Sequence, residues 1–547
     1  MKVGDFGLVF ILLFFLSCPL PLNRPGDQPD NQTDGQTDDQ GNPINIGNLP
    51  RTYNESIQKV EFTGNTATIN LKSLKNNDIY LVKVNTSDLI VNAANTGNAL
   101  VPYTDTENTS RSSIPNKTFL HEDQLPPIGH PAALEFNANP PPIANEIQPR
   151  LQSILLSPAV NDTRKFWVET YYNSGAWREG QAKLRATGTY GNIWVMDENY
   201  SSTAAGKPDN KITSEQAEAL AGKFDLIYPA VTNILGYEYG GGPGGNGGRD
   251  SDPKVQILVY DIVDEEGDVA AAGYFWSKDY YQQSQLGSSL KTNLAEIFYI
   301  DTSQVSTVPE YIYSALIHEF QHMINFNVKY VVQRKNSATW YNEMLSMMTE
   351  DIVAPLIGVT PANRYHEIRT RMPTFLGNYD KAGFTEWNTS ENIADSYAKG
   401  FAFGAYLLRN FGGADLLKTI LANDTTNIDS ITSALNEFSE GLDFYQALNR
   451  FGEAMVFSGT QIPEGVLTFQ KTVTKTINDF TYTASGFDVW KDFTQKGPVI
   501  FNMTQKQMRP HSITIHSANG WKNKSGNISI TLQQPGNPAI EFYLMVK

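Results

Sequence analysis

Cysteine is almost absent from this 547-residue chain, and Cys18 is the single example. A disulfide within one copy is therefore impossible, which excludes the small secreted scaffolds that disulfides hold together. Long hydrophobic runs are scarce too, and the run at residues 7–16 is too short to cross a bilayer as a helix. Histidine is also rare, with seven residues, so two histidines in one short motif are a strong chemical signal.

Positive charge is in deficit. The chain has 42 Lys and Arg against 58 Asp and Glu, which gives a formal net charge of −16 and a pI near 5.0. This balance argues against nucleic acid and against an anionic membrane surface as partners, because both would repel the chain. The length exceeds the usual size of one hydrophobic core, so several structural units are expected.

The first 18 residues have the pattern of a targeting segment, with Lys2 before the apolar residues 7–16 and Cys18 directly after them. A cysteine at this place resembles a bacterial lipoprotein processing site, although Phe15 stands where such signals usually carry Leu. The alternative is an ordinary signal peptide with an incidental cysteine. The sequence therefore predicts export, either to the bacterial cell envelope or surface through a lipid on Cys18, or into the medium.

The segment at residues 313–326 carries the main chemical motif, His318-Glu319-x-x-His322. Apolar residues recur in it at helical spacing without Pro or Gly, so it is predicted to be a helix. Its geometry places both imidazoles on one face, where they can bind a single Zn²⁺. Glu319 then stands beside the metal, where it can take a proton from a water that the metal activates.

A catalytic zinc site needs a third protein ligand, and the next helical stretch offers one. Glu343 lies 21 positions after His322 in residues 340–350, which again lack Pro and Gly. That separation leaves room for a loop at residues 329–337 and a second helix that returns to the metal. A third histidine shortly after the motif would indicate another zinc arrangement, but that position is Val328.

The segments His-Glu-Phe-Gln-His-Met-Ile-Asn-Phe and Trp-Tyr-Asn-Glu-Met-Leu-Ser resemble the hyicolysin family of secreted zinc metallopeptidases, within the gluzincin group. The similarity extends over about residues 166–457, and the two zinc segments are its specific part. Matched residue by residue, the resemblance implies His318, His322 and Glu343 as zinc ligands and Glu319 as the general base. It also implies a polypeptide substrate.

The resemblance suggests roles for further residues around the metal. Tyr397 aligns with a tyrosine that the family places near the zinc, where its hydroxyl could stabilise an oxyanion; His366 is the competing candidate. Thermolysin-like gluzincins carry an acid four positions after the ligand Glu, which orients the first His, but here that position is Met347. Glu350 or Asp351 is therefore predicted to take this task.

Two further predictions concern the surroundings of the site. Residues 296–300 are the candidate edge strand that would hold an extended substrate by main-chain pairing, with a buried structural strand as the alternative. In the glycine-rich residues 240–252, Asn246, Asp250 and Asp252 could bind Ca²⁺, although their spacing fits no EF-hand and a simple loop is preferred. His121 and His130 are expected to be surface residues.

The predicted fold class is α+β: a zincin-like peptidase domain, β-rich in its first half and helical in its second, flanked by β-sandwich-like modules. Five regions are expected, namely a lipoprotein-type signal at 1–18, a disordered tether at 19–50, a β-rich domain at 51–160, the peptidase at 161–460 and a second β-rich domain at 461–547.

The sequence thus predicts a zinc-dependent endopeptidase that is secreted or anchored at the surface. Two alternatives remain open. The first is an inactive binding protein or adhesin with a peptidase fold, against which the retained base Glu319 speaks. The second is an aminopeptidase of the same zinc class, disfavoured because no G-x-M-E-N type segment is present to hold a free amine.

Overall fold

The computed structural model describes residues 51–53, 56–100, 125–143, 158–203, 210–388, 393–459, 462–503 and 506–547. The predicted signal, the tether, Cys18 and His121 lie outside them. The described strands are β1 (Arg51–Tyr53), β2 (Ile57–Lys59), β3 (Thr66–Asn77), β4 (Ile79–Asn85), β5 (Thr163–Glu169), β6 (Trp177–Thr187), β7 (Gly191–Met196), β8 (Val255–Tyr260), β9 (Gly273–Phe275), β10 (Ile297–Asp301), β11 (Val473–Ile477), β12 (Phe480–Ala484), β13 (Ser512–His516), β14 (Lys524–Gln533) and β15 (Ile540–Val546). The described α-helices are α1 (Pro131–Ala138), α2 (Ser214–Leu235), α3 (Gln283–Leu286), α4 (Thr302–Thr307), α5 (Pro309–Asn325), α6 (Thr339–Val353), α7 (Glu367–Asn378), α8 (Ile393–Asn410), α9 (Ala414–Ala422), α10 (Asn427–Phe438) and α11 (Phe444–Val456).

Strands from the two ends of the chain pair with one another. One sheet has the order β13-β4-β15-β2 and the other the order β1-β3-β14, with Ile69 of β3 opposite Ile530 of β14. The two separate flanking modules predicted from sequence are therefore one β-structure in the described residues, and residues 50–547 form one compact unit. A local strand pattern shows where strands lie but not which partner each one pairs with.

The β-structure is joined to the rest of the unit through β4, which is buried on both faces. Ile79 and Leu81 pack with Phe542 in a core between the two sheets. Tyr80 and Val82, which point to the opposite face, pack in the large core shared with the helices. Since successive strand residues alternate in direction, one apolar strand serves both cores.

A six-stranded mixed sheet, in the order β5-β6-β7-β8-β10-β9, lies beside the helices. β10 is parallel to β8 on one side and antiparallel to β9 on the other, with Phe298 opposite Phe275. The predicted edge strand at residues 296–300 is thus an interior strand, and the prediction is wrong. β9, only three residues long, forms this edge of the sheet.

In the helical half, α6 packs against both α5 and α8, and α5 also lies against β9. Gly400 of α8 faces Met347 of α6 so closely that a Cβ atom there would lie 2.8 Å from the Met347 Cε atom. Met347 therefore fills the α6–α8 interface. None of the helices in the described part of the chain is long and apolar enough to cross a membrane.

Candidate metal centre

Two helices bring the predicted metal ligands together. α5 carries His318, Glu319 and His322 in its second half, and a π-helical turn at Phe326–Val332 follows it directly. The loop predicted to begin at residue 329 therefore starts later, and α6 then returns with Glu343 in its first half. α5 keeps this position because its apolar residues, among them Leu316 and Phe320, are fully buried in the large core.

The three ligand side chains converge closely. The Glu343 carboxylate lies 3.0 Å from His318 Nε2 and 3.2 Å from His322 Nε2. Among the described residues, these three form one group whose ligand atoms all lie within 4.8 Å of one another. Two imidazoles and one carboxylate form a donor set that suits a catalytic zinc, so the residues present fit such an ion.

The charges at this centre favour a cation. All three side chains are buried, and burial alone would raise the pKa of Glu343, but His322 and His318 outweigh it and lower that pKa to about 2. Burial would lower the pKa of His318, yet Glu350 and Glu343 raise it well above its ordinary value. Carboxylates that hold a positive charge on His318 provide the negative field that a metal ion requires.

Each histidine also has a partner on its other ring nitrogen. The Glu350 carboxylate lies 2.7 Å from His318 Nδ1, in agreement with the prediction that Glu350 or Asp351 replaces the acid missing at Met347. The Ser346 hydroxyl lies 3.2 Å from His322 Nδ1. Sequence reasoning missed Ser346, although its place one helical turn after Glu343 puts both side chains on the same face of α6.

Glu319 is fully buried next to the ligands, and no side chain in the part of the chain that the structure describes donates to its carboxylate, which faces the Phe275 N–H of β9. Burial raises the pKa of Glu319 to about 7, against the lowering effect of His318 and His322. One main-chain donor leaves most lone pairs of a carboxylate unused, so Glu319 can accept a proton from water, which is the property a general base needs.

Tyr397 lies near the ligands, whereas His366 has other contacts. The Tyr397 ring centroid is 6.3 Å from that of His318, and the side chain is fully buried. The His366 side chain accepts a hydrogen bond from Ile368 N–H at the start of α7, and its Nε2 lies 4.0 Å from Asp351. Of the two candidates for stabilising an oxyanion, the structure therefore brings Tyr397 to the predicted ligands.

Comparison with models of known protein families shows which family this chain belongs to. The Peptidase M30 family model matches residues 177–469, which is more than half of the chain. The chain belongs to the Peptidase M30 family. The M30 match includes the five residues predicted for the metal centre, from His318 to Tyr397, and the large sheet from β6 onward. The resemblance to the hyicolysin family is thereby confirmed.

Two individual proteins also resemble this chain over part of its length. The neutral metalloprotease ShpI of Staphylococcus hyicus is 26% identical over 298 residues, which cover 52% of this chain and 60% of that protein. The match thus spans less than two thirds of the relative. A crystal structure of an M1 zinc metallopeptidase mutant from Deinococcus radiodurans aligns with a TM-score of 0.29 at 12% identity, over 56% of this chain and 64% of that one.

A peptide segment that precedes the M30 region runs through this centre. Residues 125–130 lie along β9, with an isolated parallel bridge between Ile128 and Gly273. The Tyr397 hydroxyl donates a hydrogen bond to the Ile128 carbonyl. The chain continues in both directions past that contact. His130, predicted to be a surface residue, is instead fully buried with its Nε2 2.6 Å from Glu169.

The side chains predicted as possible calcium ligands, in the glycine-rich loop, form contacts with other protein groups. Asp250 lies 3.0 Å from Arg164, and Asp252 accepts a hydrogen bond from Asn192 at 2.8 Å. The Asn246 side chain accepts one from the Gly248 N–H at 3.0 Å. Asp250 and Asp252 therefore hold the loop against β5 and β7, while the Asn246 bond lies within the loop.

Proposed function

We propose that this protein is a zinc-dependent endopeptidase that hydrolyses internal peptide bonds of polypeptides. The observation that carries the proposal is the convergence of His318, His322 and Glu343 beside the buried carboxylate of Glu319. Family membership and the similarity to a metalloprotease support it. A purely structural metal would need the three ligands but would have no use for a buried carboxylate that no side chain neutralises next to them.

His318, His322 and Glu343 would hold the ion. Bound zinc supplies Lewis acidity, which makes water a stronger nucleophile near neutral pH and polarises the scissile carbonyl. Glu319 accepts the proton of the attacking water on its free carboxylate and passes it to the nitrogen of the leaving amine. Glu350 and Ser346 hold the two imidazoles in the tautomer and orientation that ligation needs.

Tyr397 completes the proposed site. Its hydroxyl already donates to a peptide carbonyl, that of Ile128, so it is placed to donate to the carbonyl oxygen of a substrate. Such a donor stabilises the negative charge that develops on this oxygen during attack. Burial raises the pKa of Tyr397 well above its ordinary value, and Glu343 adds to the effect, so the phenol keeps its proton at neutral pH.

An endopeptidase is preferred to an aminopeptidase because of the course of residues 125–130. A chain that passes Tyr397 and continues on both sides needs a cleft that is open at both ends, whereas an aminopeptidase closes one end around a free amine. Digestion of one internally quenched peptide with a free or an acetylated N-terminus tests this choice. Equal rates support the endopeptidase; hydrolysis of only the free form would show an aminopeptidase.

We also propose export, with a lipid on Cys18 as the anchor. The similarity to ShpI supports the enzymatic proposal but does not bear on the lipid. Expression in a bacterial host with a radioactive fatty acid tests the anchor. Label in the wild-type chain and none in Cys18→Ser supports it, and an unlabelled wild-type chain would reject it.

A further inference from the structure

The edge of β9 is the natural place for an extended peptide to bind next to the metal centre. β9 lies against α5, and a Cβ atom on Gly273 would lie 3.7 Å from Glu319 Cγ. The other side of β9 is paired with β10, so one row of main-chain groups remains for a partner. A strand edge with such a row of main-chain groups binds extended polypeptides through hydrogen bonds when nothing else covers it.

That row is occupied by the chain itself. The Gly129 N–H donates to the Gly273 carbonyl at 2.8 Å, and the Ala272 N–H donates to the Pro127 carbonyl at 2.9 Å. Ile128, between them, is fully buried. This short segment therefore forms the hydrogen bonds with the β9 edge that a bound polypeptide would form.

Three tyrosine hydroxyls donate to the other carbonyls of the segment. Tyr311 donates to Pro126 at 2.7 Å, Tyr172 donates to Gly129 at 2.9 Å, and Tyr397 donates to Ile128. Together with the bond from Ala272, every carbonyl of residues 126–129 has a donor. The phenol assigned above to a substrate carbonyl is thus already bound to a carbonyl of this segment.

Gly129 fits its place for a specific reason. Its φ angle is +119°, a conformation that side-chain-bearing residues rarely adopt, and a Cβ atom there would lie 2.6 Å from the Tyr397 hydroxyl oxygen. Only glycine allows the backbone to approach Tyr397 this closely. The segment is therefore shaped to fit this site more tightly than an ordinary peptide with a side chain at that position could.

Helix α1 extends the coverage along the same edge. The Asn137 side-chain amide donates to the Phe275 carbonyl at 2.9 Å and accepts from the Ser277 N–H at 2.8 Å, as a neighbouring strand would. Between the two contacts, the buried pair of His130 and Glu169 fixes the segment at the start of α1. Residues 126–137 thus cover β9 and the residues on either side of it, from Ala272 to Ser277.

We propose that residues 126–137 are an internal inhibitory segment, which occupies the β9 edge and the Tyr397 hydroxyl in place of an extended polypeptide. This inference rests on the proposed peptidase function. The ligand class of the β9 edge is an extended main chain, and substrate binds only when the segment has left. Since the segment competes with substrate, it raises the apparent KM and leaves kcat unchanged at saturation.

Kinetics of the full-length protein test the competition. Gly129→Val should expel the segment, because the new side chain meets Tyr397, and Asn137→Ala should loosen it without touching Tyr397. Gly267→Val is the matched control, since Gly267 also has a positive φ but nothing lies within 4 Å of its Cβ position. With an internally quenched peptide, we expect KM to fall at least tenfold in Gly129→Val and severalfold in Asn137→Ala, with kcat retained in the latter. Wild-type KM in both folded variants would overturn the proposal.

A binding measurement separates this proposal from the peptidase function. The protein is placed in the Glu319→Gln background, and a fluorescein-labelled synthetic peptide with the sequence of residues 125–137 is titrated by anisotropy. We expect Gly129→Val to bind it at least tenfold, and Asn137→Ala severalfold, more tightly than the chain with an intact segment or Gly267→Val. If no form of the enzyme hydrolyses any peptide, the peptidase proposal fails while this titration still decides the inhibitory segment. Equal binding by all four proteins would overturn it.

Discussion

The Glu350 carboxylate lies 2.7 Å from His318 Nδ1, while the other ring nitrogen, Nε2, faces Glu343 at 3.0 Å. A carboxylate on the far nitrogen of a ligand histidine fixes the ring and makes it a stronger ligand. Glu350 occupies the place two turns after Glu343 on α6, because Met347, one turn after it, packs against Gly400 of α8.

Glu350→Gln should lower metal affinity about 10- to 100-fold, the usual cost of losing such a partner. Competition with a fluorescent zinc chelator measures it. Glu310→Gln, in the first turn of α5, is the matched control and should bind zinc like the wild type. Unchanged affinity and activity in Glu350→Gln would reject the role assigned to Glu350.

Tyr397→Phe should lower kcat about 100- to 1,000-fold, the range seen when one oxyanion donor is removed. Bound zinc should be unchanged, because the hydroxyl is not a ligand. Tyr406→Phe is the control, since Tyr406 is a buried tyrosine on the same helix whose hydroxyl donates to Ala447 instead. A kcat in Tyr397→Phe equal to that of Tyr406→Phe would show that the Tyr397 hydroxyl takes no part in the reaction.

The metal centre could be predicted from sequence because both of its helices carry their pattern locally. His318 and His322 share a face by helical spacing alone, and Glu343 follows on the next unbroken helical stretch. Glu350 could be proposed for the same reason. The contacts of Ser346 and Tyr172 could not, because they depend on how α6 packs on α5 and on the course of the loop after β5.

Strand pairing was the part that sequence could not provide. β10 looks like an edge strand in isolation, and only the antiparallel return of β9 makes it interior. In the same way, β3 and β4 show strand periodicity, but nothing local indicates that β14, β13 and β15 are their partners. The residues that connect them span the whole peptidase region, so the pairing is non-local.

The ion pair between Arg409 and Asp351 should be important for stability. It joins α8 to α6: the two terminal guanidinium nitrogens of Arg409 lie 2.6 and 3.1 Å from the two carboxylate oxygens of Asp351. Both side chains are fully buried. Arg409→Met leaves the Asp351 charge buried without its partner, which should cost about 3–5 kcal/mol of unfolding free energy. Urea denaturation measures this cost.

The double variant Arg409→Met/Asp351→Leu removes both charges and should recover a large part of the loss. A decrease below about 1 kcal/mol in Arg409→Met would contradict the importance of the pair for stability.

Lys83 should make stability depend on pH. Burial lowers the pKa of Lys83 from 10.5 to about 7, although its ammonium donates to the Gly97 carbonyl and to Asn98. Between these two values, Lys83 therefore carries a proton in the unfolded chain but not in the folded chain. Unfolding becomes less favourable as pH rises through this window, by at most about 1.4 kcal/mol per pH unit, and the effect disappears below pH 7.

Urea denaturation at pH 7, 8 and 9 tests this dependence on Lys83. Lys83→Met should reduce the rise in unfolding free energy, and the part that remains comes from Lys399 and Lys329, whose pKa values burial also lowers. Lys72→Met, at an exposed position of β3, should leave the rise unchanged. The same slope in Lys83→Met as in the wild type would assign the dependence to another group.

Metal content and casein hydrolysis of the wild type beside Glu319→Gln test the central claim most directly, with and without a chelator. Asn137→Ala, with and without Glu319→Gln, is measured in parallel, so that the inhibitory segment does not mask turnover. The predicted result is one zinc per chain in all four proteins, with chelator-sensitive hydrolysis only where Glu319 is present and a loss of at least about 100-fold where it is replaced. Zinc-bound Glu319→Gln that hydrolyses casein at nearly the wild-type rate would contradict the account.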